Sequence, residues 1–363
     1  MKAARLLLSG YYGFDNFGDD AILETFIRQW RARRPGDSLC VLSAKPVLTA
    51  QRYDVQTVAR TSMGAVREAM RACDVFVSGG GGLLQSSTSL RGLFYYAGLL
   101  HEAKRLGKRA VIFAQGIGPL SFTAKQIVRR SCAAVDLAIV RDESSLALLT
   151  SILPGTDVRL GADPVFVAGA DGSTTHDAAA LITQGIAPDA QLVAVVARPS
   201  RLLDRAADAL GAAIDSVSAT RGVQVVFIPF QQPGDVEASV KIIRKCKTAP
   251  VLLSGQYGIA GMSALLQRCS LVVALRLHAL ILAARLRVPF AALAYDPKVS
   301  ALLDSLQYPH AAVNIADTQR SLIRAWDERE SLSAALHKTV PAMEKRAALS
   351  FDWLQSMVEG AVS

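Results

Sequence analysis

Short apolar runs alternate with amphipathic segments along most of the chain, and this alternation constrains the fold more than any other feature. In the first half, the apolar runs predict strands at Arg5–Ser9, Ser38–Leu42, Val55–Val58, Asp74–Ser78, Arg109–Ala114, Leu137–Val140 and Asp157–Leu160. The segments between them predict helices at Asp19–Arg33, Ser62–Arg71, Leu90–Leu106, Ala124–Ala134 and Glu143–Ser151. Strands that alternate with helices indicate a parallel sheet covered on both faces.

A second series follows a small, polar, glycine-rich stretch at Ala168–Thr175. Its predicted strands are Leu192–Val196, Val223–Pro229, Val251–Leu253, Leu271–Leu275 and Phe290–Tyr295. Its predicted helices are Ser200–Thr220, Asp235–Lys245, Ile259–Arg268, Leu277–Leu286 and Val299–Leu306. We therefore predict an α/β fold with Rossmann-like domains at 1–168 and 181–316, joined by a linker at 169–180. The pattern at 317–363 is purely helical, and we expect these helices to return to the first domain.

The composition describes a globular protein suited to anionic partners. The 363 residues are enough for two domains, and the 51% hydrophobic content with 20% charged residues argues against disorder. The net charge of +9 fits anionic substrates, nucleic acid or acidic lipid. Because the chain has no basic tail or RNA-binding motif, we expect no nucleic-acid partner.

The cysteines and the apolar segments favour a cytoplasmic location. The 5 cysteines are scattered through apolar patterns without metal-ligand spacing, which predicts buried, reduced thiols. The N-terminal apolar run Leu6–Leu8 is too short for a signal peptide. The most apolar stretch, Leu271–Leu286, contains charged residues and is too short to span a membrane. No cluster of histidines and carboxylates has metal spacing, so we expect no metal.

Two strand-to-loop junctions carry residues suited to anions and sugars. The first is Ser9–Asp20, with the sequence S-G-Y-Y-G-F-D-N-F-G-D-D, between the first strand and a helix. The second combines Arg276–His278 with Tyr295–Lys298, each at the end of a predicted strand. Glycine lets a ligand approach the backbone closely, and a helix N-terminus presents unpaired N–H groups. The carboxyl ends of parallel strands are the edge where such sheets bind ligands.

Seven short motifs follow one another along the chain. They are G-Y-Y-G-x-x-N-x-G-D-(D/E)-A at Gly10–Ala21, S-G-G-G-x-L-L-Q at Ser78–Gln85, Q-G-I-G-P at Gln115–Pro119, V-R-D-E-x-S at Val140–Ser145, A-D-P at Ala162–Pro164, R-L-H-A-L at Arg276–Leu280 and A-Y-D-P-K at Ala294–Lys298. Each motif alone is weak, but this order of motifs resembles the polysaccharide pyruvyl transferase family. The resemblance is to the branch that acts on bacterial cell-wall polysaccharide, and it extends from about Leu6 to Leu306.

The resemblance implies a GT-B-like fold, in which two Rossmann-like domains face a central cleft. It implies transfer of the enolpyruvyl unit of phosphoenolpyruvate onto N-acetylmannosamine carried by a lipid diphosphate, forming a 4,6-linked pyruvate ketal. Such ketals help to retain S-layer proteins on the wall. Phosphoenolpyruvate is then a co-substrate, and no cofactor is expected.

One position departs from the family pattern. The L-L-Q-D stretch of relatives ends here in Ser86, which cannot supply the charge of a carboxylate. Asp15, Asp19 or Asp20 then takes over that role, or the acceptor differs.

The donor site is expected in the second domain. Phosphoenolpyruvate carries a phosphate and a carboxylate, which suit the guanidinium of Arg276 and the ammonium of Lys298; surface cations are the alternative. His278 is expected to move a proton to C3 of the enol ether or from the sugar hydroxyl, and a structural histidine is the alternative. Arg141 either contacts the donor or forms an ion pair with one of the next two residues, both of which are acidic.

The acceptor is expected on the glycine-rich loops of the first domain. The predicted contacts are Tyr11, Gly13, Asn16, Gly18, Asp19, Gly80, Gly81 and Gln85. Asp19 is also a good N-cap for the first helix, and Tyr11 and Tyr12 either stack on a sugar or pack in the core. The run Gly79–Gly82 is a ligand cradle or a plain turn, and Asp163 is interpreted as part of a turn before a proline.

Two other functions and one further partner stay open. The fold also suits a GT-B glycosyltransferase with a nucleotide-sugar donor, or a non-catalytic sugar-binding relative. Two basic patches are solvated faces or sites of adhesion to anionic lipid at the membrane surface. Their residues are Arg28, Arg31, Arg33 and Arg34 in one patch and Lys104, Arg105, Lys108 and Arg109 in the other.

Overall fold

The chain folds into two compact α/β units. The computed structural model describes residues 2–87, 89–169, 184–255, 257–293, 296–309 and 317–362. One unit comprises residues 1–168 and 342–363, and the other comprises residues 169–341. Each unit has its own parallel sheet, so the predicted alternation of strands and helices is confirmed in both halves. Apart from Gly169, the predicted linker at 169–180 lies outside the described residues.

The first unit is built on a seven-stranded sheet. Its strands are β1 (Arg5–Ser9), β2 (Ser38–Ser43), β3 (Gln56–Ala59), β4 (Val75–Ser78), β5 (Arg109–Gln115), β6 (Leu137–Val140) and β7 (Val158–Leu160). Their spatial order is β3-β2-β1-β4-β5-β6-β7, and all the pairs are parallel. The strand order reverses between β1 and β4, which is the point where open parallel sheets leave a ligand-binding crevice at their carboxyl edge.

Helices cover this sheet on both faces. They are α1 (Phe17–Arg33), α2 (Pro46–Tyr53), α3 (Met63–Ala72), α4 (Leu90–Arg105), α5 (Phe122–Cys132) and α6 (Glu143–Ile152), followed by a 3₁₀ turn at Pro164–Val167. The sequence pattern misses α2, because Thr49 and Tyr53 are its only buried residues and no apolar stripe marks it.

The alternation of side chains along β1 separates two cores. Leu7 joins the core under α3–α6, whereas Leu6 and Leu8 join the core on the other face. Helix α1 contributes the stripe predicted from its spacing to that second face. Its buried members are Ile22, Leu23, Phe26, Ile27 and Trp30.

The second unit is built on a five-stranded sheet. Its strands are β8 (Leu192–Val196), β9 (Gln224–Phe227), β10 (Val251–Leu252), β11 (Cys269–Ala274) and β12 (Phe290–Ala292), in the spatial order β10-β9-β8-β11-β12. Its helices include α7 (Arg201–Arg221), α8 (Gly234–Ile243), α9 (Ile259–Gln267), α10 (Leu277–Arg285), α11 (Pro297–Ser305) and α12 (Thr318–Asp327). The strand order reverses between β8 and β11. The last predicted strand ends at Ala292, and Ala294 and Tyr295 lie outside the described residues.

The C-terminal helices return to the first unit later than predicted. Helix α12 belongs to the second unit, where Trp326 is buried and Asp327 accepts a hydrogen bond of 2.8 Å from Arg221 of α7. The last helix, α13 (Arg329–Val362), belongs to the first unit only from Ala342 onward. The expected return at 317 is therefore wrong for α12, because α7 already covers its apolar face. No helix in the described part of the chain, α13 included, is long and apolar enough to cross a membrane.

Candidate active site

Three residues with predicted roles toward the donor lie at the carboxyl edge of the second sheet. Strands β11 and β12 are parallel neighbours, so the helices that follow them, α10 and α11, begin side by side at this edge. Arg276 is the N-cap residue of α10, His278 is the second residue of that helix, and Lys298 is the second residue of α11. All three residues are half-buried. The structure thus brings them to two neighbouring helix N-termini.

The two helix starts favour an anion at this edge. Neither α10 nor α11 has an acidic residue in its first turn, and the N-terminus of α10 has no side-chain cap, so the partial positive charge of that helix end is not offset by a capping carboxylate. Asp296, the N-cap residue of α11, accepts a hydrogen bond of 3.1 Å from the backbone N–H of Lys298. The remaining first-turn N–H groups and the two cationic side chains match a ligand that carries phosphate and carboxylate groups.

Arg276 is held by an acidic residue that the sequence pattern did not single out. Its Nε donates to Asp235 Oδ2 at 3.0 Å, and a terminal nitrogen is bound to the other oxygen of that carboxylate. The same terminal nitrogen donates to Gln231 Oε1 at 3.1 Å. Asp235 is completely buried, and its Oδ2 also accepts from the backbone N–H groups of Phe230 and Gln231 at 3.0 and 2.9 Å. This network fixes the plane of the guanidinium and offsets part of its charge.

Sequence reasoning missed Asp235, Gln231 and Arg198. Asp235 lies in the first turn of α8, where an acidic residue is common for the sake of the helix dipole, so its position gave no functional signal. Arg198 lies two residues after β8, beside the reversal of strand order, and it is half-buried. The position of Arg198 at this edge makes it a further candidate for anion contact.

The loop after β1 is shaped by Asn16. Asn16 is the N-cap residue of α1, and its Oδ1 accepts from the N–H of Gly18 at 3.3 Å. Its side-chain amide donates to Asp19 Oδ2 at 2.5 Å. The predicted capping role of Asp19 is therefore wrong. The helix begins at Phe17, two residues before Asp19, because the asparagine already caps it.

The two glycine-rich loops meet at the reversal of strand order. Gly81 has a φ of +92°, and a Cβ at this position would lie 2.8 Å from Asp19 Oδ1. A Cβ at Gly80 would lie 2.9 Å from the side chain of Ile22 in α1. Gly13 has a φ of +78° and packs against Ser43. Gly80 and Gly81 therefore lie against α1 and Asp19, whereas Gly13 lies against the end of β2. The lack of side chains on Gly80 and Gly81 is what lets their loop approach the start of α1.

The two tyrosines of the first loop differ in their surroundings. The ring of Tyr11 stacks on Phe14 with a centroid distance of 4.0 Å and remains half-buried. Tyr12 packs in the core with 2% exposure, and burial raises the pKa of its phenol above the usual range. Core packing therefore holds for Tyr12, whereas the role of Tyr11 as a sugar platform stays a prediction.

Gln85 and Ser86 hold the second loop together. The side-chain oxygen of Gln85 accepts from the N–H of Ser87 at 3.0 Å. Ser86 donates from its hydroxyl to the carbonyl of Pro119 at 3.1 Å and accepts from the N–H of Ser121 at 2.9 Å. The serine that departs from the family pattern thus links its loop to the N-cap of α5.

Arg141 is buried within the first unit. Its guanidinium donates to Asp163 at 3.2 Å and lies 3.7 Å from a carboxylate oxygen of Asp142. A Cβ at Gly116 would lie 2.7 Å from this guanidinium. The ion pair left open by the sequence is therefore present, with Asp163 as an added partner. Asp163 also accepts from the N–H of Val165 at 3.1 Å, which makes the expected turn.

Two other polar groups lie close to the predicted acceptor loops. Burial raises the pKa of Asp20 to about 6, although Arg52 lies 3.6 Å away and opposes the shift. Arg60 follows β3, and its guanidinium lies over the rings of Phe14 and Tyr95 at 5.0 and 4.5 Å from their centroids. A carboxyl group with a pKa near neutrality and a cation held by aromatic rings are both common in binding sites.

Among the described residues, no group of three or more histidines, cysteines, aspartates or glutamates could hold a metal ion.

Comparison with known proteins gives a family by sequence and a fold by structure. A family model described as polysaccharide pyruvyl transferase matches residues 16–297. No curated protein matches the chain by sequence.

Several solved structures share the fold at low sequence identity. A Listeria monocytogenes protein assigned as a UDP-N-acetylglucosamine 2-epimerase has a TM-score of 0.69 and 10% identity, covering 96% of this chain and 94% of its own. The UDP-GlcNAc 2-epimerase of Neisseria meningitidis, bound to UDP-GlcNAc, has a TM-score of 0.65 and 9% identity, covering 97% of this chain and 100% of its own. Anabaena HepE in complex with UDP-glucose has a TM-score of 0.64 and 13% identity, with the same coverage of 97% and 100%. These similarities confirm the GT-B class of fold.

Proposed function

Because the chain belongs to the polysaccharide pyruvyl transferase family, we propose that it transfers the pyruvyl unit of phosphoenolpyruvate to a sugar of a cell-wall polysaccharide precursor. The acceptor is an N-acetylmannosamine-type sugar on a lipid diphosphate, and the product is its 4,6-linked pyruvate ketal. Phosphoenolpyruvate is the co-substrate, and we place the reaction in the cytoplasm, at the inner face of the membrane.

The observation that supports this proposal most directly is the grouping of Arg276, His278 and Lys298. They lie on the first turns of two neighbouring helices, α10 and α11, that follow paired strands. We assign the phosphate and carboxylate of phosphoenolpyruvate to Arg276, Lys298 and the helix N-termini. Positive charge at this point stabilises the phosphate as it leaves.

The reaction needs one proton to be added and two to be removed. A proton added to C3 of phosphoenolpyruvate makes the methyl group and leaves C2 electron-poor. One sugar hydroxyl bonds to C2, the C2–O bond to phosphate breaks, and the second hydroxyl closes the ketal. Of the two hydroxyl protons, one balances the proton taken up by C3 and the other leaves with phosphate. We assign His278 to this proton transfer, since imidazole titrates near neutral pH.

We assign the acceptor to the crevice at the carboxyl edge of the first sheet. The side chain of Asn16 donates a hydrogen bond to Asp19 at one side of this crevice, and Gly81 lies against Asp19. Hydroxyl and acetamido groups of a sugar need hydrogen-bonding partners of this kind. Ser86 supplies no carboxylate, so Asp20, with a pKa near neutrality, is the acidic residue we expect to support proton removal.

A nucleotide-sugar glycosyltransferase is the main competing function, since UDP-sugars are bound by two of the proteins with a similar fold. The two functions differ in the donor. We expect phosphoenolpyruvate to raise the melting temperature of the protein, while UDP-glucose and UDP-GlcNAc leave it unchanged, because only a bound ligand stabilises the folded state.

The activity is tested by phosphate release from phosphoenolpyruvate with a synthetic N-acetylmannosamine acceptor. His278→Gln keeps a polar side chain of similar reach but cannot exchange a proton near neutral pH. We expect its kcat to fall by about 10²- to 10⁴-fold while the donor affinity changes little. His337→Gln is the matched control, because this histidine lies in α13, outside the candidate site.

The results separate the possible roles of the histidine. Wild-type turnover in the His278→Gln variant would assign His278 to ligand positioning only. Release of a nucleoside diphosphate from a UDP-sugar, without phosphate release from phosphoenolpyruvate, would replace the proposed function by glycosyl transfer.

A further inference from the structure

Exposed hydrophobic side chains collect at one end of the first unit. Among the described residues, the large hydrophobic side chains that are exposed are Val47, Leu48, Met63, Leu90, Phe94 and Phe122, which we call the apolar rim. All of them lie in the first two turns of α2, α3, α4 or α5. These helices follow β2, β3, β4 and β5 of one parallel sheet, so their starts lie at its carboxyl edge.

The exposure of the rim is large. Phe122 is 79% exposed, Phe94 57% and Met63 56%, although each lies on a helix whose other residues reach the core. Scattered exposed hydrophobic residues are common on protein surfaces, but a grouping at one edge indicates an interaction surface.

The four helix starts that carry the rim hold no acidic residue in their first turns, although helix starts usually carry such residues. The starts of α4 and α5 carry Arg91 and Lys125 instead, and both are exposed. Neither forms an ion pair within the described residues. Exposed hydrophobic side chains beside unneutralised cations suit an anionic lipid surface.

The two basic patches predicted from the sequence are less suited to this role. They lie at the ends of α1 and α4 and the start of β5, which is the opposite, amino edge of the sheet. Most of their cations already have acidic partners, such as Arg34 with Asp37 at 2.6 Å and Lys104 with Asp136 at 2.7 Å. A cation that is neutralised by a neighbouring carboxylate attracts a membrane only weakly.

We propose that the apolar rim, together with Arg91 and Lys125, docks the first unit on an anionic lipid bilayer. Aromatic and aliphatic side chains of the rim enter the interface, and the two cations contact lipid phosphates. This inference rests on the proposed function in one respect: the acceptor crevice opens at the same carboxyl edge, between the loops that follow β1 and β4. A sugar diphosphate anchored in the bilayer is then presented to that crevice by the docking itself.

The test is a flotation assay with two kinds of vesicle. One contains phosphatidylglycerol and phosphatidylcholine in equal parts, and the other contains phosphatidylcholine alone. We expect the protein to bind the anionic vesicles more tightly. The double variant Phe94→Ser/Phe122→Ser should bind the anionic vesicles at least about tenfold more weakly. The reason is that the variant has no aromatic rings at these positions to transfer from water into the bilayer interface.

A matched pair of charge reversals on one helix tests the role of the cations. Lys125→Glu changes the first half of α5, and Arg130→Glu makes the same charge change at its far end, where the side chain is also exposed. We expect about a tenfold loss of binding for Lys125→Glu and little change for Arg130→Glu. Along α5, Lys125 lies about 4.5 Å and Arg130 about 12 Å beyond Phe122 of the rim, at a rise of about 1.5 Å per residue. Salt screens charges beyond about 10 Å. Equal effects of the two variants would show unspecific attraction and would overturn the proposed surface.

Other outcomes distinguish this inference from the proposed function. Unchanged vesicle binding by Phe94→Ser/Phe122→Ser would refute the docking surface, as would a wild-type dimer that these changes dissociate, because a second copy then covers the rim. Turnover of phosphoenolpyruvate with a soluble acceptor, but no vesicle binding, would refute only the docking surface. Rim-dependent vesicle binding without any such turnover would support the docking surface and refute the proposed function.

Discussion

The ion pair between Arg276 and Asp235 offers a quantitative test of how the candidate donor site is built. Asp235 is completely buried, and the side chain of Arg276 is only 12% exposed. One oxygen of the carboxylate accepts from Arg276 Nε and from two backbone N–H groups, while the other binds the terminal nitrogen of the guanidinium. We predict that substitution of Asp235 destabilises the second unit.

Two variants of Asp235 separate the contributions of its contacts to the free energy of unfolding. Asp235→Asn can keep one accepting oxygen, but its amide nitrogen then meets a terminal nitrogen of Arg276. We expect this variant to lose about 3–5 kcal/mol, because the buried guanidinium has no compensating charge. Asp235→Ala also removes the acceptor of the N–H groups of Phe230 and Gln231, and we expect about 2 kcal/mol of additional loss.

The assay is urea unfolding followed by tryptophan fluorescence. The chain has 3 tryptophans, and only Trp326 belongs to the second unit. Trp326 is buried, so the background Trp30→Phe/Trp353→Phe makes its emission a reporter for that unit. The loss of stability is then the change in unfolding midpoint multiplied by the slope of the transition.

A double-mutant cycle supplies the control. Arg276→Met removes the other partner of the ion pair. The double variant Arg276→Met/Asp235→Asn should lose at least about 2 kcal/mol less unfolding free energy than the two single variants lose together, since the two groups are in contact. A loss below about 1 kcal/mol for Asp235→Asn, or strictly additive variants, would refute the view that this buried pair organises the site.

Two further variants test the charges in the two units. Lys298→Ala should weaken binding of phosphoenolpyruvate about 10- to 100-fold by calorimetric titration, because a charged hydrogen-bond donor to the anion is lost; an equal loss in the exposed control Lys247→Ala would contradict the assignment. Asp20→Asn should raise the melting temperature near pH 8 but not near pH 4. The pKa of Asp20 is raised from 3.8 to about 6 in the folded protein, so ionisation of Asp20 lowers the stability of the wild type as the pH rises across this range. We expect the variant to gain about 1–3 kcal/mol at pH 8, after allowance for the lost pairing with Arg52. The same change in melting temperature at both pH values would argue against a buried, ionising Asp20.

The architecture was largely predictable because buried residues recur at regular spacings within each strand and helix. A strand buried on both faces is a short apolar run, and a helix that covers a sheet carries a stripe, as Ile22, Phe26 and Trp30 do in α1. Helix α2 was missed because its few buried residues form no stripe. The motifs after the strands predicted where Arg276, His278 and Lys298 would lie, since loops after parallel strands share one edge. Their roles in binding and catalysis remain predictions.

The contacts between distant residues followed from the order of the strands in the sheets. Asp235 follows β9, and Arg276 follows β11, which is separated from β9 by β8. The hydrogen bond from Arg141 to Asp163 likewise joins the loops that follow the neighbouring strands β6 and β7. Even the start of α1 depended on geometry, because Asn16 rather than Asp19 has the extended backbone of an N-cap.

By itself, the sequence determined the two parallel-sheet units, the family and the edge of each sheet on which the candidate site lies. Only the tertiary structure decided which cations are already paired within the protein, which side chains form the apolar rim, and that the chain returns to the first unit at Ala342. The physical reason is that periodicity reports how each segment is buried, whereas ion pairs and shared surfaces depend on which segments the strand order makes neighbours.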